Sequence, residues 1–165
     1  MKILVLSDSH SGLHFMRGCI HAVKPEHIIH LGDFYEDGEV MQEEFPHIRF
    51  HQVPGNCDSH RREPWICPYL CYDIGGVRTF MCHGHNHAVK SAADVMLVAA
   101  AQRGDAQLAL YGHTHEAVCY QTQGIWVMNP GTCRSYSGSV GLVEIEDKKI
   151  TSCRILRQED IDALA

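Results

Sequence analysis

Five short runs of aliphatic and β-branched residues each break into a polar or glycine-bearing loop that carries a possible metal ligand. Ile3-Leu4-Val5-Leu6 leads into Ser7-Asp8-Ser9-His10, Ile28-Ile29-His30-Leu31 into Gly32-Asp33, and residues 50–53 into Pro54-Gly55-Asn56-Cys57-Asp58. Phe80-Met81-Cys82 leads into His83-Gly84-His85, and residues 108–111 into Gly112-His113-Thr114-His115. Runs of this length and composition read as strands. Loops leaving neighbouring strands converge at one sheet edge, where side chains remote in sequence can meet. Glycine beside the ligands lets the backbone turn tightly and approach an ion or a phosphate.

The run ending at Cys82 extends back to Val77, and further strands are expected at Tyr69–Ile74, 117–120, 125–128, 140–145 and 150–156, with turns at Gly75-Gly76 and Glu146-Asp147-Lys148-Lys149. Helices are expected at Leu13–Val23, ended by Pro25, and at 39–45 before Pro46. A third is expected at 91–103, capped by Ser91 and ended by Gly104. Strands and helices alternate first and hairpins follow. That order predicts an α/β chain of two packed, mostly mixed β-sheets flanked by helices, with residues 1–165 forming one domain.

Asp, Asn and neutral His offer oxygen and nitrogen donors suited to Mn, Fe, Zn, Co or Ni. A lone His-x-His pair carries little weight in a chain with 13 histidines among 165 residues. Five ligand-bearing loops in this order, each just after a strand, are hard to obtain by accident. The formal net charge of −6 argues against a broad basic surface for nucleic acid, so no stable polynucleotide binding is expected. Bound cations would supply positive charge where a phosphate sits. The apolar run after Met1 is too short for an export signal or a membrane span, and a cytoplasmic location is expected. The eight cysteines form no Cys-x-x-Cys pair, and Cys19, Cys71, Cys82, Cys119 and Cys153 lie in apolar runs, as buried thiols do.

The five motifs together resemble the calcineurin-like metallophosphoesterases over residues 3–145. The short chain and its Gly55-Asn56-Cys57-Asp58 variant are similar to the small bacterial and archaeal phosphodiesterase branch, related to the retromer subunit Vps29. Asn129-Pro130-Gly131-Thr132 is similar to a segment of that branch. The resemblance implies an αββα sandwich and two divalent cations bridged by Asp33. Asp8, His10 and His115 would complete one site, and Asn56, His83 and His113 the other. Mn is favoured among Mn, Ni, Zn, Fe and Co. It also implies a small phosphodiester or phosphomonoester substrate, hydrolysed by in-line attack of a hydroxide held between the cations.

Cys57 stands where larger members carry His. A thiol is poorly suited to cycling protons near neutral pH, so good leaving groups are expected to be preferred. His85 is a candidate for orienting phosphate or acting as general acid, and Asp58 is expected to brace a ligand histidine. Arg61, Arg62, Trp65 and Tyr69 follow the Asn56 loop and are candidate substrate contacts, with a solvated basic pair beside a packed aromatic as the favoured reading. Two other functions fit the same pattern: a Vps29-like binding scaffold without turnover, and a nuclease acting on short nucleic acid. A homo-oligomer is compatible with the strands around Trp126.

Overall fold

In the run Ile3-Leu4-Val5-Leu6 every side chain is fully buried, which only a strand covered on both faces permits. The computed structural model describes residues 1–90, 94–134 and 138–164 and places that run at the centre of a five-stranded sheet. Strand β1 (Lys2–Leu6) pairs in parallel with β2 (His27–His30), which pairs in parallel with β3 (Arg49–Gln52). On its other side β1 meets β9 (Ser139–Glu146) antiparallel, and β9 meets β10 (Lys149–Arg157). The order is β10-β9-β1-β2-β3.

The second sheet has the order β4-β5-β6-β8-β7, made from Tyr69–Ile74, Val77–Cys82, Leu108–Leu110, Ile125–Asn129 and Val118–Thr122 respectively. Its inner strands β5, β6 and β8 run parallel, and its edge strands β4 and β7 pair antiparallel. Side chains alternate between faces along a strand, and the core divides accordingly. Ile3, Val5, Ile29, Leu31, Leu108, Leu110 and Met128 fill the space between the sheets. Leu4, Leu6 and Ile28 face outward against Met16 and Ile20 of α1 (Leu13–Val23), Met41 of α2 (Tyr35–Glu44) and Ile161 of α4 (Gln158–Leu164). On the far side, Phe80, Ala109 and Val127 pack against Leu97, Val98 and Ala101 of α3 (Val95–Arg103). The layers are therefore αββα, the expected fold class.

All ten expected strands are present, with bounds shifted by two residues at most. The helices differ more. Helix α2 begins at Tyr35 rather than 39 and runs through Gly38, where a side chain would strike Gln52. Close packing, not helix termination, accounts for that glycine. Helix α3 is described from Val95 onward with Asp94 before it, and the expected cap Ser91 lies outside the described residues. Helix α4 is an element the sequence reading does not anticipate. All eight cysteines are free thiols; Cys19 and Cys82 are buried as expected, whereas Cys71, Cys119 and Cys153 are only half-buried. Trp126 packs against the core between the sheets. No helix among the described residues is long and apolar enough to cross a membrane.

Polar contacts also join the sheets. His27 Nδ1 lies 2.9 Å from His51 Nε2, and His51 Nδ1 lies 2.6 Å from the Tyr72 hydroxyl, linking β2 and β3 to β4. Burial, then the neighbouring His27 and Arg49, push the His51 imidazole down to about 4. The fold thus favours neutral His51, while the unfolded chain takes up a proton near pH 6.5. Stability is present above about pH 6.5 and is lost as pH falls toward about 4. In urea titrations, His51→Phe should show a shallower loss of stability across this window than the wild type. Parallel pH profiles would refute a role for His51 in that loss.

Candidate metal centre

Parallel pairing brings the carboxyl ends of β1, β2 and β3 to one edge, and those of β5, β6 and β8 to the facing edge of the second sheet. Backbone bonds stitch the emerging loops together. Asp8 N–H donates to the Gly32 carbonyl at 2.9 Å, Gly112 N–H to the His83 carbonyl at 2.9 Å, and Cys133 N–H to the Ser7 carbonyl at 3.2 Å.

The loops then curl sharply. Asp8, His10, Asp33, His113 and His115 all have positive φ, between 42° and 69°. Each such residue costs on the order of 1–3 kcal/mol and persists only where its surroundings enforce it. Two glycines permit the close approach. A Cβ on Gly55 would run into the Asp33 carboxylate, and one on Gly112 into Ser7 Oγ and Asp8 Oδ2.

The result is a cluster of inward-facing ligand atoms. One atom each from Asp8, His10, Asp33 and His115 lie within 4.8 Å of one another. His115 Nε2 is 3.1 Å from Asp8 Oδ1, and His10 Nε2 is 3.7 Å from Asp33 Oδ2. His83 Nε2 lies 3.1 Å from Asn56 Oδ1, 3.5 Å from Asp33 Oδ1 and 3.9 Å from Asp8 Oδ1. The His113 ring stands edge-on to His83, with centroids 5.1 Å apart. All seven residues expected as ligands therefore gather around the two carboxylates, from both sheets.

Hydrogen bonding shows what this cluster lacks. Asp8 Oδ2 accepts from Ser7 Oγ at 2.6 Å and His113 N–H at 2.9 Å, and Asp33 Oδ1 accepts from Cys57 N–H at 2.9 Å. Buried Asp8 Oδ1 and His10 Nε2 have no hydrogen-bond partner among the described residues. His83 Nδ1 sits 2.7 Å from the Leu31 carbonyl, which can only accept, so that nitrogen carries the hydrogen. In the neutral ring Nε2 then presents a lone pair toward Asn56 Oδ1 and Asp33 Oδ1, which are acceptors too. Lone pairs converging without donors are what a cation satisfies. The donor set thus fits divalent metal ions.

Burial opposes the Asp33 carboxylate, but the Cys57 N–H bond and the nearby His83 and His10 outweigh it and hold the group below the ordinary carboxylate range. Burial, then His83, lowers both His85 and His113, keeping them neutral. His85 is half-buried, its ring 5.4 Å from His83 and 6.2 Å from His113, and its Nδ1 has no hydrogen-bond partner among the described residues. Partial burial, then the Asp33 carboxylate, raise the Cys57 thiol to about 11. That thiol does not exchange protons readily at neutral pH.

Asp58 requires a correction. Among the described residues it hydrogen-bonds to backbone and not to a histidine: Oδ2 accepts from Asp33 N–H at 3.0 Å and Gly55 N–H at 2.7 Å, and Oδ1 from Tyr35 N–H at 2.9 Å. Its carboxylate pins the loop after β2 to the loop after β3. Arg61 is no solvated cation either, being held by Glu36, Glu39 and Glu63, and Trp65 is 73% exposed rather than packed. Ser9, His30 and Asn129 are supports the sequence reading missed. Ser9 Oγ lies 3.1 Å from buried His30 Nε2 and donates to the Asp33 carbonyl at 3.1 Å. Asn129 Nδ2 donates to the Gly112 carbonyl and to Thr114 Oγ1, both at 2.9 Å. The Asn129-Pro130-Gly131-Thr132 segment was the available signal.

Residues 1–148 match the calcineurin-like phosphoesterase superfamily domain. The chain belongs to that family. It is 29% identical over 166 residues to phosphodiesterase MJ0936 of Methanocaldococcus jannaschii, covering 90% of this chain and 96% of that protein. Its fold matches that of a conserved uncharacterized protein from Streptococcus pneumoniae at 23% identity and a TM-score of 0.76, covering 96% and 90% of the two chains. Vps29 from Entamoeba histolytica, in a structure complexed with zinc, shares the fold at 18% identity and a TM-score of 0.70, covering 95% and 98%.

Removing Asp58 orphans three buried N–H groups, so Asp58→Ala should lose about 3 kcal/mol or more of unfolding free energy. Urea denaturation in excess chelator checks this. A residue acting only through a metal ligand would show no loss once metal is stripped.

Proposed function

We propose that this chain is a metal-dependent phosphoesterase, specifically a phosphodiesterase, working as one domain on a small soluble ester. The observation that carries the reading is the donor-poor convergence of Asp8, Asp33, Asn56 and His83 at the junction of two sheets. Family membership and the phosphodiesterase named among its relatives support it. Asp33, with a separate oxygen facing His83 and His10, is assigned as the residue shared by two cations. Asp8, His10 and His115 would hold one; Asn56, His83 and His113 the other. The mixed oxygen and nitrogen set suits Mn, with Ni, Zn, Fe and Co as competitors.

When bound, the cations would supply Lewis acidity and lower the pKa of the attacking water. The protein's own groups do the rest. His85, neutral and with no partner at Nδ1 among the described residues, can donate a hydrogen bond from its ring N–H to a phosphoryl oxygen; to act as general acid toward the leaving alkoxide it would first have to take up a proton. Cys57, with its thiol near 11, gives the leaving group little help, so esters of acidic alcohols should react fastest.

A panel of phosphodiesters and phosphomonoesters, assayed after chelation and after return of Mn, Ni, Zn or Mg, checks the assignment. Chelation should abolish turnover and metal should restore it. Asp33→Ala should lower kcat/KM by about a thousandfold or more, and Cys57→Ala by less than about tenfold. Full activity in the Asp33 variant would remove the shared ligand. Absence of turnover with every metal would leave the binding-scaffold reading.

A further inference from the structure

Beside Asn56 and His85 the surface opens into a cleft of about 450 Å³, walled by Pro54, Ile66, Pro68 and Arg61. That volume lies within the range of small-molecule sites. The charged side chains in its wall are already engaged. Asp58 is occupied by three backbone N–H groups. Arg61 makes a two-pronged contact with Glu39 at 2.8 and 3.0 Å, reaches Glu63 at 2.6 Å and Glu36 at 3.5 Å, and lies over the Tyr35 ring at 4.8 Å. One guanidinium among three carboxylates leaves a net negative rim. A second anionic group on a ligand would find no free Lys or Arg among the described residues lining the cleft and would be repelled. An apolar ring would instead cover Ile66 and the two prolines and gain from their burial.

We infer that this cleft receives the organic substituent of the ester, and that it selects apolar rings over substituents bearing a further carboxylate or phosphate. Ile66 is the specificity-determining contact, and the Arg61 cage rejects charge. The inference rests on the phosphoesterase reading, since it takes the ester phosphate to sit at the neighbouring Asn56 and His83.

The test measures binding separately from turnover. Dimethyl phosphate, methyl phenyl phosphate and methyl 4-carboxyphenyl phosphate are titrated calorimetrically into Mn-loaded protein. Hydrolysis of p-nitrophenyl phosphate and methyl p-nitrophenyl phosphate is followed in parallel. Methyl phenyl phosphate should bind roughly tenfold more tightly than dimethyl phosphate, and the carboxylate should cancel that gain. Ile66→Glu should erase the preference for phenyl. Glu39→Gln combined with Glu63→Gln should free Arg61 and improve binding of the carboxyphenyl ester. Thermal melts confirm that both variants fold. Equal binding of the three esters, or an unchanged phenyl preference in Ile66→Glu, would overturn the cleft assignment. If the chromogenic esters are still hydrolysed in that case, the phosphoesterase reading survives it. A phenyl preference lost in Ile66→Glu, without hydrolysis of either chromogenic ester, would uphold the cleft and overturn the catalytic reading.

Discussion

Two carboxylates, Asp8 and Asp33, lie buried where the sheets meet, and burying charge is costly unless it is compensated. The chain compensates in part, through Ser7 Oγ and His113 N–H on Asp8 and Cys57 N–H on Asp33. Part of the remaining acceptor capacity faces His83 Nε2 and Asn56 Oδ1, whose own lone pairs point the same way. Such a cluster is stable only with positive charge among its members, drawn from protonated imidazoles or from bound cations. The same shortage of donors that burdens the fold makes the site receptive to metal.

The backbone is arranged to maintain that shortage. Candidate ligands in left-handed conformations have no regular strand or helix to rest in, so loop-to-loop bonds must hold them. Asp58 ties two loops together, and Asn129 holds the loop bearing His113 and His115. Gly55 and Gly112 let the backbones come close enough for those bonds to form.

The inner strands were legible because their side chains are buried on at least one face and carry the period-two or continuous apolar pattern of that burial. Helix α4 was not, since Ile161 is its only buried residue and its acidic first turn resembles a solvated tail. The residues of the cluster were legible through position: Asp, Asn and His each follow a strand. Their supports were not. His30 hides inside an apolar run, and nothing in the sequence distinguishes it from a core histidine bonded elsewhere. Asp58 fails as a histidine brace because sequence gives the residue type but not the three amides it meets, two of them more than 20 residues away. Arg61 misleads likewise, since Glu36 and Glu39 lie on helix α2 while Arg61 lies in the loop after β3.

The contacts at the outer rims of the sandwich bear on chemistry they never touch. One layer carries Asp8, His10, Asp33 and Asn56; the other carries His83, His113 and His115. Donor spacing is therefore a matter of registry between layers, and a slip of roughly 1 Å would spoil it. His51 meets Tyr72 where β3 faces β4, and Cys119 Sγ lies 3.4 Å from Cys153 Sγ where β7 faces β10. These paired clasps at opposite rims oppose shear in both directions, so the outermost strands help set the bite of the pocket.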